Sequence, residues 1–169
     1  MPPRDSRERS RTDRSAAKHK PHRTEDRFYK AKRDAHHACE DLRSRIQRSH
    51  IHAAVRKELL AAVAAAESQI SEVSPTRSHP GARLREITKE VGHLLVAENW
   101  LAAADRVLDR LGSGAPKSQR SAIEEGVDTV MWHVRAGEWD GRLTAAVTQL
   151  QGIVQEAEAH AANSVQRAG

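Results

Sequence analysis

Apolar residues recur along the chain at alternating steps of three and four, the spacing of one helical face, and the strict alternation of a half-buried strand is absent. Phe28, Ala31, Ala35, Ala38, Leu42 and Ile46 form the first series. Thr24 stands before it as a cap, with Glu25 and Asp26 suited to the positive end of the helix dipole. A second series, Leu59, Val63, Ala66, Ile70 and Val73, predicts a helix over 51–73. Arg48-Ser49-His50 between them contains neither Gly nor Pro, so a hairpin and one continuous helix both fit. A heptad running unbroken through both would put Ser49 and Arg56 on the apolar seam, which favours the hairpin; a single long helix would project as a dimerising arm.

Ser74 to Gly81 (SPTRSHPG) is the clearest loop, since each proline biases its predecessor away from helix. Four more helices are expected beyond it. Leu84, Ile87, Val91, Leu94 and Leu95 mark the third. Asn99 offers a cap for a fourth, with Trp100, Leu101, Ala104, Val107, Leu108 and Leu111. After the loop Gly112-Ser113-Gly114-Ala115-Pro116, the fifth carries Ile123, Val127, Val130, Met131 and Val134, and Gly137 is placed to end it in the left-handed conformation. Asp140 can cap the sixth, with Leu143, Val147, Leu150, Val154 and Ala157. The pattern predicts an all-α fold, an antiparallel helical bundle of about six helices with a disordered basic N-terminal arm. Its parts are an arm over 1–23, a helical pair over 24–73, a linker over 74–82, a four-helix region over 83–162 and a frayed tail over 163–169.

Shifting the C-terminal half by 39 residues superposes Val91 on Val130, Leu95 on Val134, Trp100 on Trp139 and Leu111 on Leu150. The stretch Ala136 to Leu143 (AGEWDGRL) resembles the turn of tetratricopeptide-type helical hairpins, in which an aromatic after the turn packs between helices. That family repeats at about 34 residues and needs about three units to be stable. Two units at a longer period leave the plainer expectation, a bundle whose two tryptophans close two hairpins.

Charge divides the chain differently from hydropathy. Residues 1–33 hold 12 Lys and Arg against 5 Asp and Glu, a net of +7, and the remaining 136 hold 16 against 18, a net of −2. Residues 1–23 contain no Leu, Ile, Val or aromatic side chain, so they bury too little apolar area to offset their ordering entropy. Arg4, Arg7, Arg9, Arg11, Arg14, Lys18, Lys20, Arg23, Arg27, Lys30, Lys32 and Arg33 are the candidate nucleic-acid-binding residues, through phosphates and without base specificity. Asp5, Glu8 and Asp13 are interspersed and oppose phosphate, and a tail that only keeps the chain soluble is the competing reading. The longest apolar run, Leu59 to Ala66, is far short of a membrane span. The first 25 residues lack the apolar core of a secretory signal, and Cys39 is the only cysteine, so a reducing cytoplasm is expected.

Catalytic and metal-binding patterns are weak. Ten histidines are present, and His36, Cys39 and Glu40 share one face of the first helix, with His37 and Asp41 on the next. One cysteine among scattered histidines does not match zinc spacings, so no metal and no cofactor are expected. No GxSxG, P-loop or GxGxxG occurs, and Glu124-Glu125 and Glu138-Asp140 read as solvated helix ends, so an enzyme is not expected. A helix-turn-helix reader is disfavoured, because Arg83, Arg85 and Lys89 alternate with Glu86 and Glu90, and Arg106 and Arg110 with Asp105 and Asp109. The expectation is a small cytoplasmic, non-enzymatic binding or adaptor protein. Its 27 Ala and its 21 Arg against 7 Lys suggest GC-rich coding, which suits an accessory protein of a bacterial plasmid or phage serving transfer or regulation. Its arm would contact nucleic acid, and its helices a protein partner or a second copy. The alternative is a helical interaction or dimerisation module without nucleic-acid binding.

Overall fold

The computed structural model describes the backbone of residues 20–167 and the side chains of residues 23–164. The expected disordered arm therefore lies outside the described residues up to position 19. Its last four residues, 20–23, are helical. Among the described residues there are five α-helices and no strand: α1 (Lys20–Arg48), α2 (Ala53–Glu72), α3 (Pro80–Leu111), α4 (Lys117–Ala136) and α5 (Gly141–Arg167), with a single 3₁₀ turn at Gly112–Gly114. The all-α class follows from the periodicity. No helix among the described residues is long and apolar enough to cross a membrane.

Five helices replace the expected six because the third and fourth are one. The apolar series Leu84, Ile87, Val91 and Leu94 continues in phase into Leu101, Ala104 and Val107, all buried. Glu98 occupies the seam position between Leu94 and Leu101 and gives the pattern its apparent break. It is buried at 2% exposure. Its carboxylate accepts a hydrogen bond from Arg45 Nε of α1 at 2.7 Å. Asn99 caps nothing; its Oδ1 accepts from Arg45 Nη2 at 3.1 Å. Trp100 thus stands in mid-helix, half-buried, whereas Trp139 lies buried in the α4–α5 turn and donates its Nε1–H to Val134 O at 3.0 Å. The 39-residue repeat therefore superposes a mid-helix segment on a turn and has no structural counterpart.

The helices alternate in direction. α1 and α2 form an antiparallel hairpin tied by Arg43 to Glu67. The chain leaves helix between Arg48 and Ala53, and Ile51 is buried there. Arg56 explains the break: its Nη2 donates to Ser49 O at 2.8 Å and to Ile51 O at 3.3 Å, so it serves loop carbonyls instead of the seam. α1 and α3 run in the same direction. Arg45 meets Glu98, and seven residues further along each segment the His52 N–H donates to Asp105 Oδ2 at 2.8 Å. α3 and α5 are likewise parallel, joined by His93 with Thr144 and by Arg110 with Glu158. α3 packs against all four other helices and is the axis of the bundle.

Element ends follow local chemistry, with shifted boundaries. Thr24 lies within α1, which is helical from the first described residue, Lys20. α3 begins with Pro80 in its first turn, where the missing N–H costs nothing. Gly137 has φ 71° and ends α4 as expected, with its N–H on Val134 O and that of Glu138 on His133 O, the Schellman arrangement. Asp140 caps α5 by accepting the Arg142 N–H at 2.9 Å. α5 continues to Arg167, past the point where polar composition predicts fraying; Ser164 Oγ bonds back to His160 O within it.

Two substitutions probe these contacts by urea denaturation. Arg45→Ala strands the Glu98 carboxylate and lowers stability by about 2–3 kcal/mol, below the full cost for a buried pair because Arg45 itself is half exposed. Gly137→Ala, which meets no steric obstruction, costs about 1 kcal/mol through its positive φ alone.

Candidate functional site

The seam of α1, Phe28, Ala35, Cys39, Leu42 and Ile46, faces the core. The opposite face presents the described part of the basic stretch. Arg23, Arg27, Lys30 and Arg33 are exposed there. Lys30 approaches Asp34 at 4.0 Å, and Arg23, Arg27 and Arg33 have no ion pair among the described residues. Glu25 and Asp26 are exposed in the same turns and lower the local charge. Tyr29, 54% exposed, stands beside them with its ring edge-on to Phe28. Lys32 faces the other way. Its Nζ donates to Val73 O at the end of α2, 3.3 Å away, and lies 5.7 Å from the Phe28 ring centre. This ammonium stabilises a helix C-terminus and is committed within the fold. Arg4, Arg7, Arg9, Arg11, Arg14 and Lys18 lie outside the described residues, as does the side chain of Lys20.

Where the far end of α1 meets the middle of α3, the surface opens into a recess of about 540 Å³. Leu95 and Ala102 are its apolar lining, and the Arg45–Glu98 pair lines it as well. Arg48, Ser49 and His50 line its rim from the end of α1, and Arg106 from α3, with Asp41 as the opposing charge. Arg48 Nε donates to Ser44 O at 3.1 Å, which leaves its terminal nitrogens free to turn outward. The sequence pattern does not mark this site. Arg106 is 58 residues from Arg48 and reads as one member of a balanced charged face; only the parallel register of α1 and α3 brings the two together.

The histidine and cysteine candidates are dispersed. Among the described residues no three His, Cys, Asp or Glu side chains come together as a metal site would require. His37 Nδ1 pairs with Glu40 Oε2 at 3.3 Å on an exposed face. His93 shares a hydrogen bond with Thr144 Oγ1, and His133 with Glu138 Oε2, each at 2.9 Å. Cys39 is fully buried. Burial, reinforced by the Glu67 carboxylate and partly offset by Arg43, pushes its thiol up to about 11. A thiol so protonated is a small hydrophobe and a poor nucleophile. Asp140 is held down to about 2 by hydrogen bonds from the Arg142 side chain and backbone, so the cap of α5 stays charged at any ordinary pH.

Native Cys39 is therefore inert to iodoacetamide at about pH 8 and alkylates rapidly once urea unfolds the chain. Because its folded pKa lies above the unfolded value, its contribution is complete below pH 9.0 and is lost as pH rises toward about 11. Across that alkaline window the melting temperature of Cys39→Ala falls less steeply than that of the unsubstituted chain.

Comparison with known proteins adds no relative: no family model matches the chain, and neither a curated protein nor a solved structure does.

Proposed function

We propose that this chain is a small, non-enzymatic cytoplasmic binding protein whose basic amino-terminal stretch contacts nucleic acid through phosphates, while the helical body serves as an adaptor. The observation that carries the reading is the outward face of α1, where Arg23, Arg27 and Arg33 are exposed and unpaired among the described residues. A helix that continues a basic segment offers phosphate contacts at fixed spacing, and Glu25 and Asp26 in the same turns disfavour its insertion into a groove. Binding of this type is driven by counterion release, is salt-dependent and tolerates any sequence. An accessory role on a bacterial plasmid or phage, in transfer or regulation, belongs to this reading and rests on composition alone.

A second reading, a helical interaction or dimerisation module with no nucleic-acid role, is favoured by Trp132, which is 56% exposed on the outer face of α4. An exposed indole of this kind is a frequent anchor of protein interfaces.

The two separate in one experiment. Labelled duplex and single-stranded DNA are titrated with the full chain at low and high salt. The proposal expects binding that weakens steeply with salt. It expects Arg23→Gln/Arg27→Gln/Arg33→Gln to reduce the slope of log K against log salt by up to about 3 on duplex DNA, about 0.9 for each phosphate that is no longer neutralised. Absence of binding by the full chain at low salt overturns it, and a concentration-dependent mass that Trp132→Ala abolishes then establishes the second reading.

A further inference from the structure

The recess between the end of α1 and the middle of α3 carries an inference independent of the amino-terminal surface. We infer that it is a binding site for a phosphate group, held by Arg48 and Arg106 with Ser49 and His50 as further hydrogen-bonding groups. Part of its lining is already neutralised. Arg45 is spent: its Nε holds the buried Glu98 carboxylate at 2.7 Å and its Nη2 holds Asn99 Oδ1 at 3.1 Å. Glu98 is spent with it, so this pair shapes the wall and contributes no net charge to the mouth.

The remaining cations are in surplus. The Arg106 side chain has no hydrogen-bond or ion-pair partner among the described residues, and Arg48 uses only its Nε, on a carbonyl of its own helix. The Ser49 hydroxyl and the His50 ring are also without partners there, although the Ser49 carbonyl is occupied by Arg56. Two guanidinium groups, the Ser49 hydroxyl and the His50 ring, from the end of α1 and the residues after it and from α3, thus border one concavity. Among the described residues Asp41 is the one unneutralised carboxylate on its lining. Guanidinium groups bind phosphate through paired, charge-assisted hydrogen bonds, and two of them outweigh one opposing carboxylate. The Arg45–Glu98 contact ties α1 to α3 in one register, and so sets where Arg48 stands relative to Arg106.

A phosphate group can come from a small free phosphate or from a nucleic-acid backbone, and the test distinguishes these sources. The full chain is titrated with pyrophosphate by calorimetry, and in parallel with a single-stranded oligonucleotide. Pyrophosphate binding is expected, weakened about tenfold or more in Arg48→Gln/Arg106→Gln. Asp41→Asn is expected to tighten it several-fold, a gain that a merely unfolded variant cannot mimic. Arg23→Gln/Arg27→Gln/Arg33→Gln leaves pyrophosphate binding unchanged, so failure of the amino-terminal reading and failure of this one are separable. If the recess takes backbone phosphates, the Arg48/Arg106 variant also weakens the oligonucleotide; if it takes a free phosphate, oligonucleotide affinity is unaltered. No heat of pyrophosphate binding to the full chain, or binding that is indifferent to both the Arg48/Arg106 and the Asp41 substitutions, overturns the inference.

Discussion

A carboxylate in the middle of a buried helix face has to be compensated, and in this molecule that requirement organises the bundle. Glu98 lies on the seam of α3 where a leucine would continue the pattern. Left without a cation it would be a buried, unpaired charge, and desolvating such a charge costs several kcal/mol. Arg45 supplies the cation and, being half exposed itself, keeps part of its hydration. The pair is therefore more a device of registration than a source of net stability. It sets which turn of α1 lies against which turn of α3, and the His52–Asp105 bond repeats that register seven residues along.

From this register the rest of the architecture follows. α3 is long enough to pack on every other helix, so the two hairpins on either side of it share one core in place of forming two small ones. A single contiguous core buries a larger fraction of its surface than two halves would, which matters in a chain with so few aromatic side chains. Alanine along α1 and α2 suits this arrangement. Small residues at Ala35, Ala62 and Ala66 let the backbones approach, and the longer Leu, Ile and Val side chains of α3 fill the space between. Several polar groups drawn inward are met by backbone carbonyls: the Trp139 indole by Val134 O, Lys32 by the end of α2, and Arg56 Nη2 by the α1–α2 loop, although Arg56 Nε is buried without a partner among the described residues.

Surface charge is organised on a separate principle. Many cations of the body are paired with carboxylates on their own or a neighbouring helix, such as Arg83 with Glu86, Arg135 with Glu58 and Arg142 with Asp140. Pairs like these contribute little to stability and keep the surface electrically quiet. Arg23, Arg27 and Arg33 at the start of α1 and Arg106 at the mouth of the recess have no ion pair among the described residues, and Arg48 bonds only to Ser44 O of its own helix.

The helical class, much of the buried face of the helices and several boundaries are written into the chain locally. Leu59, Val63, Ala66, Ile70 and Val73 are all buried, as are Leu143, Val147, Leu150, Val154 and Ala157, because 3.6-residue periodicity is a property of the chain alone. Gly137 and Asp140 are legible for the same reason: a positive φ and a capping oxygen act within a few residues. The outward basic face of α1 is legible as composition, apart from Lys32, whose partner Val73 is 41 residues away. Packing settles whatever depends on a distant partner. Glu98 and Asn99 read as a helix boundary until Arg45, 53 residues before Glu98, turns them into part of a continuous spine. The recess, likewise, exists only because α1 and α3 lie side by side in one register. The physical reason is common to both: a lone polar residue in an apolar stripe is a break or a buried ion pair according to what faces it, and what faces it is fixed by packing.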